Sequence, residues 1–173
     1  MGKKSRRPSR NKPKVIPAAA STAAAAQEEI YGQLCDSEDW AGLLELESEM
    51  SAIAKTFESS NPGDASSINF NLGRAHKALG REGGIEEATL YFKTTIELAK
   101  QVGDNEFHTK GVLYLSECYV EMDRVDEAKS LCDEIGKESM DPEAILEFAE
   151  EFGVNSVRAL TILEEYLEVI ESS

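Results

Sequence analysis

Two stretches of this chain read as one helix written twice. Residues 83–96, GGIEEATLYFKTTI, align with residues 123–135, DRVDEAKSLCDEI, at an offset of 40. Glu87 falls on Glu127, Ala88 on Ala128 and Phe92 on Cys132. A repeated amphipathic helix cannot bury its apolar stripe within one copy, so copies must stack and share a core. That requirement narrows the possible folds more than any other feature of the sequence.

The rest of the chain agrees with an all-helical reading. From Gln27 onward apolar residues recur at three- and four-residue spacing. No stretch alternates strictly with β-branched enrichment, and no Asn-Gly or Asp-Gly hairpin signal occurs. The pattern predicts eight helices in four pairs: 26–36 with 38–58, 65–80 with 84–102, 105–121 with 124–136, and 142–152 with 155–171. "SSNPGD" reads as the break after the first pair, "GREGG" as the turn inside the second and "VGDN" as its end. Asp123 is expected to cap the helix after it. Asp141 followed by Pro142 signals the start of the fourth pair.

The pairs also align with one another. Leu115, Ser116 and Tyr119 lead to Ala128, Cys132 and Ile135. Leu72, Gly73 and His76 lead to Ala88, Phe92 and Thr95, with the GREGG turn adding three residues. Leu146, Glu147 and Glu150 lead to Ala159, Leu163 and Tyr166. Small residues belong where two helices cross, here Gly73 with Ala88 and Ser116 with Ala128, and large ones fill the space to the next pair. "NLGRAHKALG" (71–80) is similar to the first helix of the tetratricopeptide repeat, and "MDRVDEAKSLCDEI" resembles its second. The longer linking segment 97–128 resembles the variant found in kinesin light chains. The resemblance covers roughly residues 65–171 and implies an antiparallel helix-hairpin solenoid. It also implies a concave groove, lined by the first helix of each pair, that holds a peptide or a partner helix.

Carried onto this chain, the groove positions are Ser67, Phe70, Asn71, Arg74, Lys77 and Ala78, then Lys110, Leu113, Tyr114 and Glu117, then Ala144, Ile145 and Phe148. The central set is Phe70, Asn71, Arg74, Lys77, Lys110, Leu113, Tyr114 and Glu117. Asn71 matches an asparagine that often holds peptide backbone in the family, since an amide both donates and accepts. Arg74, Lys77 and Arg81 share a helix face that Lys110 is placed to join, and these bases suggest an acidic or C-terminal carboxylate partner. Phe70, Tyr114, Asp141 and Ile145 stand where repeats that clamp chaperone C-termini need polar or basic groups, so that role is not expected.

Charge divides the chain. Residues 1–14 hold Lys3, Lys4, Arg6, Arg7, Arg10, Lys12 and Lys14 with no acid, and the remainder holds 11 bases and 33 acids, a balance of −22. So acidic a body repels nucleic acid. The basic segment is left as a candidate nuclear address, anionic-surface tether or nucleic-acid tether, and "RRPS" at 6–9 resembles a basophilic-kinase site. With "PAAASTAAAA" after it, the segment 1–26 reads as a disordered tail ahead of a helical domain at 27–173. No run of 18 apolar residues predicts a membrane span. The N-terminus lacks a signal-peptide core, and Arg6 stands where a myristoylation motif needs Ser or Thr.

Chemistry-bearing motifs are sparse. Cys35, Cys118 and Cys132 have no zinc or redox spacing and read as buried thiols of a reducing compartment. His76 and His108 are the two histidines, with neither HExxH nor a ligand-spaced carboxylate beside them. "GREGGIEE" lacks the Lys-Ser/Thr of a phosphate loop, and no Gly-x-Ser-x-Gly elbow occurs. No enzyme activity, metal or cofactor is expected. The final helix, 155–171, is apolar on two stripes, Ala159–Leu163–Tyr166–Ile170 and Val157–Leu160–Leu167, which suggests self-association. The sequence therefore reads as an intracellular protein–protein interaction scaffold, cytoplasmic or nuclear. A nucleic-acid-associated factor acting through the basic tail is the alternative.

Overall fold

A computed structural model describes residues 29–135, 141, 143 and 144. The chain divides into two compact units, Met1–Gln33 and Leu34–Ser173. Of the first, residues 29–33 are described, and they are helical. Among the described residues every regular element is a helix and none is a strand. The helices are α1 (residues 29–36), α2 (Trp40–Glu45), α3 (Glu47–Phe57), α4 (Pro62–Leu79), α5 (Gly84–Val102), α6 (Asn105–Glu121) and α7 (Val125–Ile135). The expected bounds of 84–102 and 105–121 match α5 and α6 as they stand. The basic segment 1–14 and the helices expected at 142–152 and 155–171 lie outside the described residues, as do the side chains of Cys132 and Ile135, for which packing roles are expected.

Three expectations are corrected. The helix expected over 38–58 is two helices. Leu46, at φ −94° and ψ 1°, closes α2 with a tight bond from its N–H to the Leu43 carbonyl (3.1 Å) and opens α3. "NPGD" starts a helix rather than only breaking one. Asn61 occupies the cap position, Pro62 the first turn, where its missing N–H removes nothing, and the Asn61 amide donates to the Asp64 carboxylate. Asp123 does not cap α7; it ends α6. Its φ is +59°, its N–H bonds the Val120 carbonyl (3.0 Å) and the Arg124 N–H bonds the Tyr119 carbonyl (2.8 Å), the pair of bonds that defines a Schellman motif. Arg124 is then the residue at the start of α7, its carbonyl accepting from the Ala128 N–H (3.2 Å).

The same closure ends α1. Glu38 has φ +53°, its N–H bonds the Cys35 carbonyl (3.1 Å), and the Asp39 N–H bonds the Leu34 carbonyl (3.0 Å). Asp39 then caps α2 by accepting from the Gly42 N–H (3.0 Å). Asp104 caps α6 in the same manner through the Phe107 N–H (3.0 Å). The Asp141 cap expected from the sequence is present: its carboxylate accepts from the Glu143 and Ala144 N–H groups (2.9 and 3.1 Å).

Helices α4 and α5 run antiparallel. Contacts pair Ser66 with Thr95, Gly73 with Phe92 and His76 with Gly84, one index rising as the other falls. The α5–α6 pair continues the pattern, with Ile96 against Gly111. Helix α4 touches α2, α3, α5 and α6, and α7 packs on α6. At the centre stand four rings. Phe70 meets Phe92 at 5.8 Å, Phe107 at 5.7 Å and Tyr114 at 5.0 Å between centroids, and Phe92 meets Tyr114 at 5.4 Å. These tilted and edge-on contacts suit the quadrupoles of aromatic rings. Val112, Leu113, Leu115, Cys118 and Ala128 extend the same core.

Two small residues make room for it. A Cβ on Gly73 would lie 2.7 Å from Phe92 Cε1, and one on Gly111 would lie 2.8 Å from Ile96 Cγ1. The expected small crossing residues are all buried, but the partner of Gly73 is the Phe92 ring. Phe92 is fully buried, so the ring has little room to withdraw. Gly73→Ala should therefore lower stability by about 1–3 kcal/mol through overpacking, read as a lower urea midpoint at unchanged slope. Asp123→Gly should raise it by about 0.5–1 kcal/mol, because glycine takes the left-handed conformation without the Cβ penalty.

Candidate functional site

Of the groove residues expected from the sequence, those on α4 and α6 lie along one seam. Glu106, Lys110, Tyr114, Glu117 and Glu121 follow one another at four- and three-residue spacing, so they form a single stripe on α6. Asn71, Arg74 and Lys77 form the facing stripe on α4. The seam is closed by contacts between the two. Arg74 lies with its guanidinium carbon 5.8 Å from the Tyr114 ring centroid, and Lys77 is paired with Glu121.

Not all of these side chains face outward. Phe70, Leu113 and Tyr114 are buried and belong to the aromatic core, so they form the floor beneath the seam. Asn71, Arg74, Lys77, Lys110 and Glu117 are half-buried above them, as is Ser67, while Ala78 and Arg81 are exposed. Ala144 is buried, and the Asp141 N–H donates to Thr109 Oγ1 (2.9 Å), tying Asp141 to α6. Ile145 and Phe148 lie outside the described residues.

The bases of the seam are neutralised within the chain. Arg74 pairs with Glu38 (3.3 Å) and lies over the Trp40 ring, 4.8 Å from its centroid. A planar, weakly hydrated guanidinium is suited to such stacking. Lys110 pairs with Glu106 one turn earlier (2.8 Å) and its ammonium lies 5.7 Å from the Phe107 ring centroid. The Glu106–Lys110 spacing was readable as a helical ion pair. Glu38 and Trp40, more than thirty residues from Arg74 along the chain, carried no signal of their contact with it.

Glu117 is held at a cost. Burial raises its pKa above the ordinary carboxylate value; the Lys77 charge opposes that and Glu121, one turn away, adds to it. Its neighbour Cys118 is buried, and burial foremost pushes its thiol up to about 12, so it is a packing residue and not a nucleophile.

A second polar cluster, missed in the sequence, joins α3, α4 and α5. The Glu47 carboxylate accepts from His76 Nε2 (2.7 Å) and from the Tyr91 hydroxyl (2.8 Å), and the Tyr91 oxygen is 3.0 Å from Ser51 Oγ. With its proton given to Glu47, Tyr91 accepts from Ser51. The His76 and Tyr91 rings stack at 5.6 Å. To donate, the Nε2 of His76 must carry a proton. Burial tends to raise the Glu47 pKa, but the hydrogen bonds from His76 and Tyr91 and the His76 charge outweigh it, so the net shift is downward. Burial foremost, with the Glu47 contact reinforcing it, raises Tyr91 to about 12.

His108 is the other histidine, and it is buried. No hydrogen bond reaches its Nε2 among the described residues, and burial first, then the Lys100 charge, lowers its pKa. Among the described residues no group of three or more His, Cys, Asp or Glu is placed to hold a metal ion, and no helix is long and apolar enough to cross a membrane.

No family model, no curated protein and no solved structure matches this chain.

The two glutamates should respond to neutralisation with opposite signs. A carboxylate with a lowered folded-state pKa stabilises above its unfolded value, and that stabilisation is lost as pH falls through the folded one. One with a raised value costs stability at neutral pH. Glu47→Gln should therefore lower the thermal midpoint at pH 7 and flatten the loss of stability below about pH 4.5. Glu117→Gln should raise the midpoint at pH 7. Thermal unfolding followed by circular dichroism across pH 3–8 reads both.

Proposed function

We propose that this chain is a non-catalytic protein-interaction module, a tetratricopeptide-like helical scaffold that holds a peptide or a partner helix along the α4–α6 seam. The observation that carries the reading is the seam itself. The first helices of two successive hairpins lie side by side, and their groove positions form two facing stripes over an aromatic floor. The repeat in the sequence and the recurring helix closures at Glu38 and Asp123 support a stacked-hairpin solenoid. In such a stack a concave face is built from the first helix of each pair, on rigid elements, with the polar groups above a packed core. Asn71 offers an amide donor and acceptor on that face, suited to the backbone of an extended peptide.

The test compares the partners retained on the immobilised full-length chain with those retained by Asn71→Ala/Arg74→Gln and by Lys100→Ala/Lys129→Ala, a pair of exposed bases on α5 and α7. Circular dichroism of each variant first checks that the helical content is kept. The groove variant should retain a different set of partners, and the α5–α7 variant the same set as the unaltered chain. Identical partner sets for all three proteins would overturn the reading.

A further inference from the structure

Counting charged residues along the sequence suggests that the seam attracts acids. The exposure of its ion pairs gives the opposite sign. In the Arg74–Glu38 pair the side chains are 21% and 63% exposed; in Lys77–Glu121, 9% and 37%; in Lys110–Glu106, 13% and 52%. In each pair the cation is withdrawn and the carboxylate stands outside it. The reason is physical. The guanidinium of Arg74 is drawn between the Trp40 and Tyr114 rings, and the Lys110 ammonium lies near Phe107. Long basic side chains readily bury their stems on apolar surface. Their glutamate partners, with shorter stems and no attraction to ring faces, remain toward water. An arriving molecule therefore meets carboxylates first, with aromatic and methylene surface beneath them.

We propose that the occupant of the α4–α6 seam is a cationic protein segment, one in which lysine or arginine alternates with apolar residues. Its bases would meet Glu38, Glu106, Glu117 and Glu121, and its apolar residues would rest on the ring edges and basic stems between them. The inference rests on the seam being a peptide groove and adds the chemistry of what it takes. Charge complementarity carries it at two levels. The stretch after residue 14 has a balance of −22, which steers cationic partners toward it at long range. At short range, Glu117 and Glu121 repel each other one turn apart with Lys77 between them. A cation from a partner relieves that repulsion, whereas an acidic partner adds to it. The half-buried Glu117 carboxylate, unfavourable in the isolated chain, fits a group kept for binding.

Fluorescence anisotropy tests this with two labelled peptides of equal length, alternating lysine–leucine and alternating glutamate–leucine, against the full-length chain at physiological salt. The lysine peptide should bind. Glu38→Gln/Glu106→Gln should weaken it about tenfold, which corresponds to ~1.4 kcal/mol. Glu86→Gln/Glu97→Gln, which removes the same charge from exposed positions on α5, should leave affinity within about twofold, as expected of distant charges screened by salt. Glu117→Gln should also weaken binding while leaving the fold intact, so the test does not hang on one variant. Equal weakening by the α4–α6 and α5 variants would reduce the interaction to bulk charge and overturn the proposal. Tighter binding of the glutamate peptide, sensitive to Asn71→Ala, would overturn the cationic occupant and leave the groove standing. Binding of neither peptide would overturn the cationic occupant, and unchanged partner sets for the Asn71→Ala/Arg74→Gln chain would overturn the groove as well.

Discussion

The packing of the Phe92 ring against Gly73 is the constraint on which the rest depends. Phe92 is fully buried, and its ring packs on α4 at Gly73, where α4 has no Cβ. That close approach brings Phe92 within ring contact of Phe70, and Phe70 in turn meets Tyr114 and Phe107 of α6. One glycine thus sets the spacing of three helices. Because Tyr114 is held by that core, Arg74 finds a ring on one side and Trp40 on the other. The seam is a by-product of the core beneath it: move the Phe92 ring outward and α6 no longer presents Lys110, Glu117 and Glu121 beside α4.

Much of this was legible in the sequence because helical periodicity and the repeat are local signals. The bounds of α5 and α6 follow from apolar spacing and from Gly, Asp and Asn at their ends. The failures are equally physical. Leu46 carries no breaker chemistry, so the division between α2 and α3 had no local mark, and both helices pack on α4. Asp123 looks like a cap because aspartate caps helices often, but it also tolerates the left-handed conformation, and here the need to close α6 took precedence. The Glu47–His76–Tyr91–Ser51 cluster joins residues as much as 44 apart. No spacing rule reaches that far without the fold.

The candidate groove shows how the same residues can be read with opposite signs from sequence and from exposure. Repeat alignment located Arg74, Lys77, Lys110 and Glu117 along the seam that the structure forms. It could not rank them by exposure, since each is simply a charged residue on a helical face. Ranking depends on the neighbours: rings draw in Arg74 and Lys110, and the glutamates beside them are left in water. The charge nearest the solvent over the seam is therefore that of the outer member of each pair.

The two glutamate sites are set apart by the same electrostatic rule. Glu47 receives two hydrogen bonds from groups on other helices, and its ionised form is favoured where it stands. It ties α3 to α4 and α5, and such a carboxylate needs no ligand to explain it. Glu117 has the reverse balance: burial and Glu121 both oppose its charge, with Lys77 alone set against them. A carboxylate whose charge is disfavoured in the isolated chain is one whose surroundings are incomplete for it. On the proposed reading, a cation supplied by a partner would complete them.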